Sequence, residues 1–99
     1  SAALEELYTA RSADPRKPIV KVAIGRVLFA QGKTQQAADE YRRAIEIAPD
    51  YAQAHFQLGL ALMKQSQLAA ARAAFKEVVR IAPDSEIGHT AIGYIDLLR

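Results

Sequence analysis

The stretch Ile47-Ala48-Pro49-Asp50 returns as Ile81-Ala82-Pro83-Asp84, a step of 34 residues. The same step links Gly25, Gly59 and Gly93, then Ala3, Ala37 and Ala71, then Pro15 with the two prolines already named. Residues 18–51 laid over 52–85 share eight identities in 34, with Leu28/Leu62 and Gln31/Gln65 completing the set. Roughly two or three would arise by chance at ordinary composition. A fixed period of this length is the mark of one supersecondary unit stacked on copies of itself.

Each unit reads as two helices. Pro18 suits a first helical turn, where its missing N–H costs nothing. The chain is apolar on nearly every side from there to Gln31, and Gly32-Lys33-Thr34 breaks it. Thr34 is the expected N-cap of a second helix running to about Ile47, which Pro49 stops. In that helix Ala37, Ala38, Tyr41, Ala44, Ile45 and Ala48 form an apolar stripe. Asp39, Glu40, Arg42, Arg43 and Glu46 form the wet face, with Asp39/Arg43 and Arg42/Glu46 as expected i,i+4 pairs. In the next unit Asp50 is the expected cap of a helix over about 52–65 and Ser66 of one over about 68–81. Asp84 or Ser85 would cap a last helix from about 86, and residues 2–12 would form an opening helix closed by Asp14-Pro15.

Composition agrees with this reading and excludes several others. The chain has 99 residues, 51% hydrophobic and 24% charged, ordinary globular values that argue against wholesale disorder. Twenty residues are Ala against 5 Gly and 4 Pro, which favours helix and leaves no strand candidate. There is no Cys, so disulfides, thiolate metal sites and a catalytic thiol are excluded. No apolar run approaches the roughly 18 residues of a membrane span, and no signal or lipidation motif is visible. The net charge of +2 is too mild to imply nucleic acid unless the charges cluster.

The pattern resembles the tetratricopeptide repeat (TPR) family, whose signature over 34 residues is W-x2-L-G-x2-Y, then A-x3-F, then P. The first full unit offers Lys21-x2-Ile24-Gly25-x2-Leu28, Ala37-x3-Tyr41 and Pro49; the second offers His55-x2-Leu58-Gly59-x2-Leu62, Ala71-x3-Phe75 and Pro83. Ala3-x3-Leu7 looks like the second helix of an earlier unit, and His89-x2-Ile92-Gly93 like the first helix of a later one. Lys21, His55 and His89 stand in the Trp place, Val78 in an Ala place and Ser66 in that of the loop Gly. The resemblance implies an all-α, right-handed α-solenoid of antiparallel helix pairs, with about six helices. Its expected divisions are 1–17 (second helix of a partial repeat), 18–51 and 52–85 (full repeats) and 86–99 (a terminal capping helix). Gly25 and Gly59 would let the partner helix approach closely, against Ala37, Ala44 and Ala71, while Tyr41 and Phe75 would fill the gap between repeats. Asp96 stands where the motif wants a large apolar residue, and burying its carboxylate unpaired would cost several kcal/mol. The last helix is therefore expected to have no second helix of its own, and the chain to be the C-terminal piece of a longer protein.

Little in the sequence supports catalysis. His55 and His89 fall on successive first helices, about 10 Å apart at ordinary helix spacing, too far to share a zinc, and no third ligand is evident. Packing between units is their plain reading. The glycines lack the G-x-x-x-x-G-K spacing of a phosphate loop. Arg11, Arg16, Lys17 and Lys21, with Arg26 nearby, form the densest basic cluster, but without interleaved aromatics it reads as a solvated edge. Neither an enzyme, a cofactor, a metal nor a nucleic-acid partner is expected, and a cytoplasmic setting is only slightly favoured over others.

One face of the first helices remains. At spacing i, i+3, i+7, i+10 it carries Ile19, Val22, Arg26 and Phe29, then Gln53, Phe56, Leu60 and Met63, then Ile87, Thr90, Tyr94 and Leu97. The resemblance implies that this face lines a concave groove for extended or helical peptides. A face left to water is normally polar, yet at least eight of these twelve are apolar. The expected partner is a protein or peptide with an apolar or amphipathic face, held with an affinity on the order of −8 kcal/mol. The alternative is self-association through the groove or an open N-terminal edge. Of the Lys/Arg/Asn cluster by which some members of the family grip acidic chaperone tails only Arg26 remains, since Ile19, Val22, Gln57, Ile87 and Ala91 hold the other places, so the resemblance does not imply a chaperone-tail partner.

Overall fold

The structure, a computed structural model, describes residues 14–99. These form five helices and no strand: α1 (Pro18–Ala30), α2 (Thr34–Ile47), α3 (Ala52–Lys64), α4 (Leu68–Ile81) and α5 (Glu86–Leu97). The expected opening helix at 2–12 lies outside the described residues.

Helices α1 and α2 pack as one hairpin, α3 and α4 as the next, and α5 leans on α4. The first helices also touch in succession, α1 with α3 and α3 with α5, whereas α2 and α4 do not meet. The layer of first helices is thus the tighter one and forms the inside of the curve.

The turns explain the period. Gly32 has φ +81 and Ser66 φ +60, both left-handed. At each, two backbone bonds close the preceding helix: Gly32 N–H to Phe29 O at 3.0 Å and Lys33 N–H to Leu28 O at 2.9 Å, then Ser66 N–H to Met63 O and Gln67 N–H to Leu62 O, both 2.9 Å. This double closure at a left-handed residue is the Schellman motif. It corrects the expected caps. Thr34 is already the first helical residue, and Ser66 ends α3 instead of starting α4; the flanking Lys33 and Gln67 make no side-chain cap bond. The N-cap of α3 is Tyr51, and the Asp50 carboxylate lies 3.1 Å from Arg80 Nη2. Only Ser85 behaves as expected, its Oγ accepting the Gly88 N–H at 3.0 Å. At the other ends, Ala48 and Ala82 leave the helical region (φ −134 and −139), as the residue before a proline must.

The core runs along the hairpins. Tyr41, Phe75 and Val78 are the largest fully buried side chains, surrounded by Ala37, Ala38, Ala44, Ala54, Ala61, Ala71 and Ala91. The two rings sit over the mid-helix glycines of their own hairpins. A Cβ on Gly59 would lie 2.7 Å from the Phe75 ring, and one on Gly25 would run into Tyr41. Each ring thus fills the gap within its own hairpin, whereas the repeat pattern assigns it to the gap between repeats. Phe75 reaches the next unit too, stacking on Tyr94 with centroids 4.8 Å apart. The charged pairs of α2 form at i,i+3, not i,i+4: Arg42 with Asp39 at 3.7 Å and Arg43 with Glu40. Gln35 Nε2 donates to the same Asp39 oxygen, Oδ1, at 3.0 Å.

Candidate functional site

The inner face is built by α1, α3 and α5 at matching heights, one 34-residue step apart. Phe29 from α1, Leu60, Met63 and Lys64 from α3, and Tyr94 from α5 line one open cavity of about 340 Å³. Four of the residues expected on this face are therefore brought together from three helices. Lys64 was not among them. Its signal was present, since it follows Met63 and lies four residues past Leu60, one turn along the same face.

The other expected residues fall in different places. Val22 is only 4% exposed and belongs to the core around Tyr41 and Ala37, a correction to its expected place in the groove. Helix α1 is apolar on several sides, so the face it turns to the core was not legible from α1 alone. Phe56 is half-buried and meets Phe75 and Tyr94 edge-on, at 5.7 and 6.1 Å between centroids. It holds the α3–α4–α5 junction together as much as it faces outward. Ile87 packs, half-buried, on the same cluster. Gln53 is half-buried, and Arg26 and Thr90 are exposed, the Thr90 hydroxyl donating to the Glu86 carbonyl at 3.0 Å. Ile19, 65% exposed, stands apart in a second apolar recess of about 630 Å³ with Lys17, Pro18, Ala48, Pro49, Asp50 and Tyr51, at the turn between α2 and α3.

On the outer side, where α2 and α4 stand apart, a recess of about 420 Å³ has Leu58, Leu62 and the alanines 70, 73 and 74 among its lining residues, with Arg42, Glu46 and Glu77. His55 also lines it. Its ring is 8% exposed and its Nε2 donates to the Pro49 carbonyl at 2.8 Å, so this histidine stitches the first hairpin to the second. The two histidines are not equivalent, because His89 is exposed.

Electrostatics are those of a paired surface. Arg16 lies 3.0 Å from Asp14, whose carboxyl the guanidinium holds below its ordinary range. Lys21 meets Glu40 at 4.0 Å. Two cations of the expected basic cluster are thereby partnered, and Arg11 lies outside the described residues. Among the described residues no group of three or more His, Asp or Glu side chains is placed to hold a metal. No helix there is long and apolar enough to cross a membrane.

Comparison with known proteins fits this geometry. A TPR repeat profile matches residues 25–66, and a tetratricopeptide repeat profile matches residues 52–85. The chain belongs to the tetratricopeptide repeat family. Its architecture is similar to that of an Arabidopsis OM64 TPR domain, with a TM-score of 0.76 at 17% identity over 87% of this chain and 69% of that one. It is also similar to MamA, with a TM-score of 0.69 at 21% identity over 86% of this chain and 58% of that one. At such identities the likeness is one of fold. No curated protein matches the sequence significantly. Tetratricopeptide repeats are protein–protein interaction modules and typically non-catalytic scaffolds, and the chain takes that general role from its family.

Proposed function

We propose that the inner face of this TPR module holds an amphipathic helix or apolar peptide of a partner protein. The observation that carries the reading is the convergence of Phe29, Leu60, Met63 and Tyr94 from three first helices on one open cavity. Each side chain covered by a partner contributes about 2 kcal/mol before ordering costs. Lys64 at the rim favours a partner with an acidic residue beside its apolar stripe. The test is selection of binding peptides from a random library displayed on phage, followed by titration into the chain. Apolar, amphipathic winners that lose roughly tenfold or more in affinity against Leu60→Glu and Met63→Glu are expected. Winners that bind both variants as well as the parent would sink the proposal.

A second reading, self-association at the N-terminal edge, draws on the recess around Ile19 and Tyr51. Light scattering across a concentration series separates the two. A dimer abolished by Ile19→Asp supports self-association, and a monomer throughout removes it.

A further inference from the structure

The outer recess between α2 and α4 has two unlike ends, because its floor, α3, runs opposite to both flanking helices. Leu62 and Ala70, on either side of the turn at 65–67, form the apolar end. His55 lies seven residues back along α3, about 10 Å away, and marks the other end, with Glu46 and Glu77 on the two rims. Leu58, Ala73 and Ala74 join the ends. One 34-residue step earlier the places of Ala70, Ala73 and Ala74 are held by Gln36, Asp39 and Glu40, so an outer face that is polar on α2 is bare on α4.

The polar end is acidic. Glu46 has no ion pair among the described residues. Arg42 is turned to Asp39 at 3.7 Å, and Arg80 is shared between Glu77 and Asp50 at 2.9 and 3.1 Å. Asp39, Glu46, Asp50 and Glu77 thus stand against Arg42 and Arg80, an excess of negative charge that draws a cation. His55 adds an acceptor. Its Nε2 donates to the Pro49 carbonyl, which leaves the lone pair of the neutral ring on Nδ1, and Nδ1 has no partner among the described residues.

We infer that this recess is a docking site for an arginine-bearing segment of a partner protein, with a leucine-sized apolar residue beside the arginine. The apolar residue covers Leu62 and Ala70, the arginine stem lies along Leu58 and Ala74, and the guanidinium reaches Glu46, Glu77 and His55. Arginine suits the site better than lysine, because its stem packs on apolar surface and its planar fork of donors serves several acceptors at once. Further repeats stacked at either end would lengthen the row and leave the gap between α2 and α4 open. The site lies on the other side of the layer from Leu60 and Met63 and stands apart from the function proposed above.

The probes are two capped peptides in which leucine and arginine share one side. One is Leu-Ala-Arg, for an extended segment; the other is an alanine–glutamine helix of about 15 residues with the pair four positions apart. Each is titrated into the isotope-labelled 99-residue chain and followed by amide NMR. Saturable shifts centred on His55, Leu62, Ala70 and Ala73 are expected from at least one. Norleucine in place of the peptide arginine, or Glu46→Lys or Ala73→Arg in the chain, should weaken binding roughly tenfold or more. Glu46 and Ala73 are both exposed, so the two variants should melt with the parent. Three results would overturn the inference: no saturable shift from either peptide up to about 10 mM, equal binding of the norleucine peptide or by Glu46→Lys, or shifts centred on Leu60 and Met63. So would a dimer of the chain alone that Ala73→Arg dissolves, since the occupant would then be a second copy.

Discussion

A single methyl group added at Gly25 or Gly59 has no room, because the Tyr41 and Phe75 rings already lie against the helix backbone there. Both rings are fully buried and cannot swing outward without opening the hairpin. Gly25→Ala and Gly59→Ala are expected to destabilise the chain by about 1–3 kcal/mol, the usual cost of overpacking. Urea unfolding checks this, and Gly93→Ala, with open space at the same register, is the internal control. Ser66 presents the reverse case. It holds φ +60 where its counterpart Gly32 holds +81, and a side chain in that region costs about 1–2 kcal/mol. Ser66→Gly should raise the melting temperature by several degrees in a chain of this size, and Gly32→Ser should lower it. The substitution of Ser for the loop Gly was visible in the sequence. Its role as the last turn of α3 was not, because serine is also a common N-cap, and only the backbone angles separate the two uses.

Between elements, apolar packing joins one hairpin to the next through Tyr41, Ala44, Ala54 and Ala61, and specific polar contacts are added to it. Arg80 of α4 reaches Glu77 one turn back, at 2.9 Å, and Asp50 of the preceding repeat, at 3.1 Å. Gln65 Nε2 donates to Gln35 Oε1 at 2.7 Å across the same boundary. Arg80, chiefly through its side-chain hydrogen bond, holds the Glu77 carboxyl below its ordinary range, and its own ionisation is pushed up in return. The sign follows. A carboxylate with a lowered folded-state pKa stabilises the fold above its unfolded pKa, and that contribution is lost as pH falls through the folded value. Arg80→Gln should return Glu77 toward ordinary carboxylate titration, read by carboxyl NMR. Its effect on stability should be small, because both groups face solvent. Nothing in the sequence flagged Arg80, since its partner Asp50 is 30 residues away and looked like a cap.

For the molecule as a whole, stability is shared between neighbours, as in any linear array of repeats. The Phe56, Phe75 and Tyr94 rings form the junction that couples α5 to the second hairpin. Tyr94→Ala should therefore speed amide hydrogen exchange in α5 and at the end of α4, while α1 and α2 keep their protection. Loss of protection throughout would mean that the repeats unfold as one unit. The same junction changes how a Phe56 variant reads: Phe56→Ala removes packing as well as inner surface, so a loss of binding would be ambiguous. Leu60 and Met63, which line the open cavity, are the cleaner positions for testing the groove.

The 34-residue phase determined the helix pairs, their breaks, the paired glycines and the stripe of α2, because periodicity records which side of a helix must avoid water. It also chose the inner face, since residues one step apart fall at one height on successive first helices. Tertiary packing alone decided how far each of those residues is covered. Val22 and Leu60 look alike in sequence, but Val22 meets the Tyr41 core and Leu60 borders an open cavity. The physical reason is geometric. A helix presents several faces at once, and which of them remains open depends on where neighbouring helices come to rest, which an apolar pattern running nearly all the way round α1 does not encode.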